Sequence, residues 1–227
     1  MTTSLNQDTT AAAVDTSAEE LQRWRDKKKL LWPLSLIPAT AAFLAWGLVE
    51  LTGIGAFWWA GFPIVFGLIP LLDMIIGDDG ENAPDEFIEE LENDPFYRWV
   101  TYLYLPLQYG GLLLASWLWA SGNLSVLDSI GLATTVAITS GIGINVAHEL
   151  GHKKEEHERW FSRIVLAQSF YGHFYIEHNR GHHVRVATPE DPASSRIGES
   201  FYRFWPRTVR GALVSAWEIE KNRLERL

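Results

Sequence analysis

Four long uncharged stretches constrain the fold of this chain more than any other feature. They are Leu30–Val49, Leu51–Leu72, Trp99–Leu127 and Ser129–Ala147. Each is long enough to cross a hydrocarbon core, which takes about 20 helical residues. Core helices of a soluble protein are the alternative, but one soluble domain rarely contains four such segments in succession. The sequence therefore predicts an all-α polytopic membrane protein with four transmembrane helices in region 30–147.

The distribution of lysine and arginine predicts how these helices are oriented. Five of the 19 basic residues precede the first stretch, Arg98 precedes the third, and the others follow the fourth. Basic residues favour the cytoplasmic side of a membrane. We therefore expect three cytoplasmic parts: a flexible tail with a basic anchor at 1–29, an acidic loop at 77–95, and the region 148–227, which contains all 7 histidines. The tail lacks the pattern of a secretory signal.

Composition excludes several functions. The chain has no cysteine, which excludes an iron–sulfur cluster, a thiolate-ligated haem and a disulfide framework held by this chain. The net charge of −9 and the acidic loop give no indication of nucleic-acid binding. A redox function would therefore need nitrogen and oxygen ligands.

The second uncharged stretch has two unusual features. Pro63 and Pro70 each remove a backbone donor, so we expect this helix to be kinked. One apolar face of the helix leads to Asp73 at its end, and it either lines a substrate passage or packs on a neighbouring helix. The residues of this face are Phe62, Val65, Phe66 and Ile69.

Five histidines form two clusters with the spacing of metal ligands. His148 and His152 are four residues apart, which places both imidazoles on one face of a helix. His178 and His182 repeat this spacing, and His183 is turned by about 100° around the helix, so it can reach a second metal ion. The pattern favours two metals. Imidazole suits iron, zinc, copper and nickel, so the spacing leaves the metal open.

Other polar residues near the clusters have less definite roles. Glu149 and Glu177 each adjoin a proposed ligand, and carboxylates often fix the tautomer of a metal-bound histidine. Direct coordination is their alternative role. His173 either orients a ligand or is a buried, hydrogen-bonded residue. His157 lies in a charged segment and is interpreted as a solvated helix position.

The segment HELGH leaves a different function open. In a zinc protease of this pattern, His148 and His152 bind zinc while Glu149 acts as the general base. That function would leave most of the second cluster unused. A metal transporter is a weaker alternative, because its histidines would be expected within the membrane helices.

Several longer motifs surround the histidines. They are NVAHELGHKK at 145–154, YGHFYIEHNRGHH at 171–183, ATPEDPA at 187–193, PLLD at 70–73 and SRIGES at 195–200. With these motifs the chain resembles the membrane alkane 1-monooxygenases, which are histidine-rich di-iron enzymes. Histidine-rich membrane desaturases and xylene monooxygenases share the outline of the paired motifs.

The resemblance implies that His148, His152, His178, His182 and His183 bind two iron ions. It also implies that dioxygen is used to hydroxylate the terminal carbon of n-alkanes, with rubredoxin as electron donor. The protein would lie in the lipid of a bacterial inner membrane, with the metal site on the cytoplasmic side. Members of the family have six transmembrane helices and nine ligating histidines, so we expect this chain to be C-terminally incomplete and inactive alone. A related fatty-acyl desaturase or hydroxylase is the alternative.

Overall fold

The computed structural model describes residues 24–77 and 82–227, and all regular structure in these residues is helical. The all-α prediction is confirmed for them. Most of the predicted tail at 1–29 and part of the acidic loop at 77–95 lie outside the described residues. The longer helices are α1 (Ala41–Thr52), α2 (Ile69–Ile76), α3 (Asp85–Asn93), α4 (Pro95–Ala120), α5 (Val126–Gly151), α6 (Glu156–Gln168), α7 (His173–Glu177) and α8 (Phe201–Leu224).

Two helical segments are long and apolar enough to cross a membrane. One is Lys29–Thr52, in which the 3₁₀ segments Lys29–Leu36 and Pro38–Thr40 lead into α1. The other is α5, and the shorter apolar helix Gly61–Ile76 lies between the two in the sequence. Two of the four predicted spans therefore meet this test of length and composition, and the presence of four spans stays a prediction.

The second predicted span is interrupted. α1 ends at Thr52 because Gly53 adopts a left-handed φ of 70°. A 3₁₀ segment, Gly55–Trp59, follows, and after the single turn Gly61–Pro63 a π-helical turn covers Ile64–Leu68 before α2 begins. The second predicted span is therefore not a single helix from residue 51 to 72, and its helical part departs from α-helical geometry between the two prolines, where a kink was expected. The π-helical turn lies between the two prolines, where missing backbone donors favour a local change in hydrogen bonding.

A close contact with α5 holds the start of this interrupted segment. The backbone N–H of Gly61 donates to Thr135 Oγ1 at 3.0 Å, and Thr135 Oγ1 donates to the carbonyl of Trp58 at 2.7 Å. A Cβ atom added at Gly61 would lie only 2.8 Å from Thr135 Cα. Glycine is therefore the residue that lets the two backbones approach here.

Helix caps set the bounds of α4 and α5. The Asp94 carboxylate accepts a hydrogen bond from Phe96 N at 2.8 Å, with Pro95 in the first helical position. Ser125 Oγ accepts from Asp128 N at 3.2 Å at the start of α5. Both patterns are favourable helix starts. The helix predicted from residue 99 to 127 thus begins earlier than expected, because the Asp94 cap and not the nearest charge determines where it starts. It also ends earlier, at Ala120.

Small residues form the core between α1, α4 and α5. Ala42, Ala45 and Ala115 are almost inaccessible, and they surround the buried side chains of Trp58 and Leu132. Small side chains let helix backbones approach closely, as they do in membrane helix pairs. This packing fixes α5, whose C-terminal end carries the first histidine cluster.

α6 returns along α5 and carries the chain to the second histidine cluster. Ser162 Oγ donates to the carbonyl of Ala147 at 2.6 Å, and the Tyr109 hydroxyl of α4 donates to the carbonyl of Ile164 at 2.5 Å. After α6, a turn in which Phe170 has a φ of 54° leads into α7. α8 then packs against α7 and against the turn at residues 178–182. The second histidine cluster is therefore in contact with α8.

Candidate metal centre

Four of the five clustered histidines meet in one place. The ring centroid of His148, in the last turn of α5, lies 4.7 Å from that of His152 and 4.3 Å from that of His178. The ring centroid of His183 lies 4.9 Å from that of His152 and 4.6 Å from that of His178. Two clusters that are separate in the sequence therefore form a single group of imidazoles.

The ring nitrogens of this group are spaced as in a metal site. His178 Nε2 lies 3.0 Å from His152 Nε2 and 3.1 Å from His183 Nε2. Two nitrogens that bind one ion at about 2.1 Å and at right angles lie about 3.0 Å apart. One ring nitrogen from each of His148, His152 and His178 also falls within 4.8 Å of the others. The donor set therefore fits a transition metal such as iron or zinc.

The surroundings of these histidines favour their neutral forms. Burial lowers the pKa of His178 to about 4, and the neighbouring imidazoles contribute in the same direction. Burial also lowers the pKa of His152, again helped by His148 and His183. Only a neutral imidazole can bind a metal. The group is consequently ready to bind a cation at neutral pH without first losing protons from these two rings.

A π-helical turn brings His183 into the group. Residues His178–His182 form this turn, and the backbone N–H of His183 donates to the carbonyl of His178. The spacing of His178 and His182 predicted an α-helix here, and the structure has a π-helical turn instead. A π-helical hydrogen bond joins residues five apart, and such turns frequently occur at functional sites. Here it places His178 and His183 side by side.

His182 stacks on His178, with ring centroids 5.4 Å apart, and it also contacts a residue that was not predicted from the sequence. Its Nδ1 lies 2.9 Å from Oδ2 of Asp191, whose side chain is fully buried. Burial raises the pKa of Asp191, but hydrogen bonds from Ser194, Ala193 and His182 lower it overall, so the group is a carboxylate. No periodic pattern points to this contact, because Asp191 lies in an irregular loop. His182 remains a predicted ligand.

The two carboxylates singled out from the sequence have other partners. Glu149 is exposed and pairs with Lys153 at 2.7 Å. Glu177 is buried, and its Oε1 accepts from Arg185 Nη2 at 3.0 Å. Burial raises the pKa of Glu177, while Ser215 and Arg185 act in the opposite direction. Within the described residues neither carboxylate bonds to a clustered histidine, so their roles beside the metal stay predictions.

The position of Glu149 also bears on the protease alternative. A general base in a zinc protease points at the water on the metal, whereas Glu149 forms an ion pair with Lys153. In addition, His178 and His183 together with the HELGH histidines supply more imidazoles than that site uses. The geometry therefore favours a histidine-only centre.

The two remaining histidines lie outside the group. The ring of His157 packs against Tyr102 and Phe161. The ring of His173 lies 4.5 Å from that of Tyr171, and its buried Nε2 has no hydrogen-bond partner in the described residues. Burial lowers the pKa of His173. Its predicted role in orienting a ligand has no contact to support it.

The apolar face that was predicted to line a substrate passage lies on the surface of the described residues. Phe62, Phe66 and Ile69 have exposed side chains, and Val65 is half-buried. The rings of Phe62 and Phe66 lie 5.1 Å apart, as expected for residues on one face. Whether this face conducts a substrate stays a prediction.

An apolar helical fold with a cluster of imidazoles at one helix end is consistent with the metal site of a desaturase-family enzyme. In agreement, residues 126–227 match the fatty acid desaturase family. This segment begins with α5 and contains both histidine clusters. The match therefore covers the part of the chain that forms the candidate centre.

Individual relatives of the chain indicate a narrower class of protein than the family match does. It is 45% identical to an alkane 1-monooxygenase of Pseudomonas putida over 88% of the chain and 50% of that protein. Alkane 1-monooxygenase 1 of Alcanivorax borkumensis is 42% identical over the same shares. The hydroxylase component of the xylene/toluene monooxygenase of Pseudomonas putida is 29% identical over 76% of the chain and 46% of that protein. The chain is a homologue of the alkane 1-monooxygenases, and it spans about half the length of the curated relatives it matches.

Proposed function

We propose that the protein is a membrane-bound alkane 1-monooxygenase that hydroxylates the terminal carbon of n-alkanes. One atom of dioxygen enters the C–H bond, and two electrons from rubredoxin with two protons reduce the other atom to water. The observation that carries this proposal is the meeting of His148, His152, His178 and His183 in a chain 45% identical to an alkane 1-monooxygenase. The activity of the whole protein is inferred from this homology.

The proposed cofactor is a pair of non-haem irons, for which His148, His152, His178, His182 and His183 are the ligands on this chain. When bound, the irons would supply the redox chemistry that activates dioxygen. The chain contributes rings held in place before the metal arrives. The ring of Phe174, for example, stacks on that of His178 with centroids 4.9 Å apart and planes 16° apart, which limits rotation of the imidazole.

Substrate binding in this proposal depends on apolar contacts alone. A terminal C–H bond offers no proton to a general base, so rate enhancement must come from positioning the chain end beside the metal. Phe62, Val65, Phe66 and Ile69 form the apolar face that would guide an n-alkane dissolved in the bilayer. Because lipid tails are as apolar as these side chains, this transfer gains little hydrophobic free energy, and the shape of the face must position the chain end.

The proposed location is the inner membrane of a bacterium, with four spans in this chain and the metal centre on the cytoplasmic side. Support comes from the basic residues before the first span and after the fourth. His148, His152 and His183 are exposed, so a soluble electron donor such as rubredoxin would have a short path to the metals.

Product analysis with labelled oxygen tests the function. The complete gene is expressed in a host that does not oxidise alkanes, and its membranes receive n-octane, reduced rubredoxin and ¹⁸O₂. We expect 1-octanol with one ¹⁸O atom. His148→Ala should abolish the product, whereas His157→Ala, outside the metal group, should retain it. An alcohol carrying oxygen from water would contradict the proposal.

A fatty-acyl desaturase or hydroxylase is the second candidate, because residues 126–227 match the fatty acid desaturase family. The same membranes supplied with saturated acyl lipids would then form an unsaturated or hydroxylated acyl chain and leave n-octane unchanged. The two functions are thus distinguished by which substrate is consumed.

A further inference from the structure

The contact between His182 and Asp191 differs from every other contact of the clustered histidines. In the described residues, the side-chain hydrogen bonds of the other clustered histidines join two imidazoles, whereas His182 Nδ1 lies 2.9 Å from a carboxylate oxygen. The Asp191 side chain is fully buried. A buried carboxylate beside a ring nitrogen accepts its proton-bearing N–H and so selects one tautomer of the imidazole.

The Asp191 carboxylate is itself held by three hydrogen bonds. Besides the bond to His182, Oδ2 accepts from Ser194 Oγ at 2.6 Å and Oδ1 accepts from Ala193 N at 3.0 Å. Its position is therefore fixed independently of His182. A carboxylate with this many donors has little freedom to follow a moving ring.

The loop that carries Asp191 is anchored to α8. Arg207 donates to the carbonyl of Pro192 at 3.2 Å and to that of Ser194 at 2.9 Å. The same guanidinium binds both carboxylate oxygens of Glu199, at 2.7 Å and 2.6 Å. A planar guanidinium makes such paired bonds with fixed geometry. α8 thus holds the loop through the carbonyls on either side of Ala193, whose N–H binds Asp191.

We propose that Asp191 is a positioning residue for the metal centre. Its carboxylate accepts the Nδ1–H of His182, which keeps the proton off Nε2 and presents the Nε2 lone pair to a metal ion. The inference rests on the proposed metal centre, in which His182 is a ligand. Carboxylates that act in this way on a ligating histidine typically change metal affinity by about 10- to 100-fold.

Asparagine at this position separates positioning from packing. Asp191→Asn keeps the volume and can still accept from Ala193 N, but its amide would donate to His182 Nδ1. The ring would then carry its proton on Nε2, where the metal must bind, as in a catalytic triad whose aspartate becomes asparagine. Glu190→Gln is the matched control, because Glu190 is the exposed neighbour of Asp191.

The experiment is an anaerobic titration of the detergent-solubilised protein with Co²⁺, followed by the ligand-field absorption of the bound ion. It compares wild type, Asp191→Asn, His182→Ala, the double variant and Glu190→Gln. We expect Asp191→Asn to weaken binding about 10- to 100-fold with a shifted spectrum, and Glu190→Gln to match wild type. In the double variant, Asp191→Asn should add no loss to that of His182→Ala, because both act through one ring.

The outcomes separate this inference from the proposed centre. If His182→Ala weakens Co²⁺ binding but Asp191→Asn leaves affinity and spectrum unchanged, the positioning role is refuted and the centre stands. If neither variant changes binding, His182 is not a ligand and both claims about it fail. Equal losses from Asp191→Asn in the presence and absence of His182 would show that Asp191 acts through packing, which also refutes the inference.

Discussion

His178 Nε2 and His183 Nε2 lie 3.1 Å apart although the residues are five positions apart in the sequence. The π-helical turn between them brings the two rings together, because its backbone hydrogen bond joins residues five positions apart. An α-helix would turn the two rings away from each other. The geometry of the candidate centre therefore depends on one local departure from α-helical structure.

Gly181→Ala tests the requirements of this turn. A Cβ atom at residue 181 would lie 2.3 Å from Glu177 Oε2, and Glu177 is held by Arg185. We expect a loss of stability of about 1–3 kcal/mol from overpacking, measured as a lower thermal unfolding midpoint in detergent. Gly172→Ala is the control, since nothing lies within 4 Å of a Cβ there. Equal midpoints for the two variants would mean that the π-helical turn tolerates a side chain.

The histidine group should determine metal content. His178 has ring contacts to each of the other clustered histidines, so His178→Ala should reduce bound iron roughly ten-fold or more. His157→Ala should leave it unchanged, because that ring contacts Tyr102 and Phe161 instead. Iron per chain is measured by plasma mass spectrometry after purification. A similar iron content in both variants would remove His178 from the ligands.

Single introduced cysteines test the number of membrane spans. The chain has no cysteine of its own, so only the introduced thiol can react. Glu86→Cys should react with a membrane-impermeant thiol reagent only in inverted vesicles if there are four spans. With only the spans Lys29–Thr52 and Val126–Gly151, it should react from the opposite side. Asn123→Cys and Lys154→Cys are the controls, because both topologies place each of them on the same side.

The ion pair of Glu199 predicts an acid-dependent loss of stability. The bidentate bond from Arg207, with help from the backbone and charge of Arg196, lowers the pKa of Glu199 to about 2. Its unfolded value is about 4.3, so the pair stabilises the folded state above that pH and loses its effect as pH falls towards 2. Glu199→Gln should therefore lower the unfolding midpoint at pH 7, and the difference from wild type should vanish towards pH 2.

Glu218→Gln provides the control for this titration, since Glu218 is an exposed glutamate on the same helix, α8. It should not differ from wild type at either pH. A constant difference between Glu199→Gln and wild type at all pH values would show that the Glu199 charge does not contribute.

The proposed passage predicts a change in substrate length. Val65 lies between Phe62 and Phe66 on the apolar face and is half-buried, so Val65→Trp should shorten the space for an alkane. The longest n-alkane converted by the complete enzyme should become shorter, as measured by gas chromatography of the products from an alkane mixture. An unchanged product range, with activity retained, would remove this face from the passage.

The sequence predicted the helical class and the shared helix face of His148 and His152, because both follow from strong periodic patterns. Charge-free stretches marked the apolar helices, and the spacing of His148 and His152 placed both rings on one face of α5. These features depend on local composition, which a single sequence contains in full.

The features that the sequence did not predict depend on tertiary contacts. The interruption after Thr52 is stabilised by Gly61 against Thr135, more than 70 residues away in the chain. The π-helical turn at His178 resembles an α-helix in its residue pattern, so periodicity cannot distinguish the two. Asp191 reaches His182 from an irregular loop, for which no spacing rule exists.

The four imidazoles that meet all belong to the segment from His148 to His183, and α6, which joins the two clusters, packs directly on α5. The chain between them forms a short closed path, so its closure costs little conformational entropy. Contacts of this low sequence separation tend to form early in folding. The imidazole group can therefore assemble from one contiguous stretch of chain, before more distant segments have found their places.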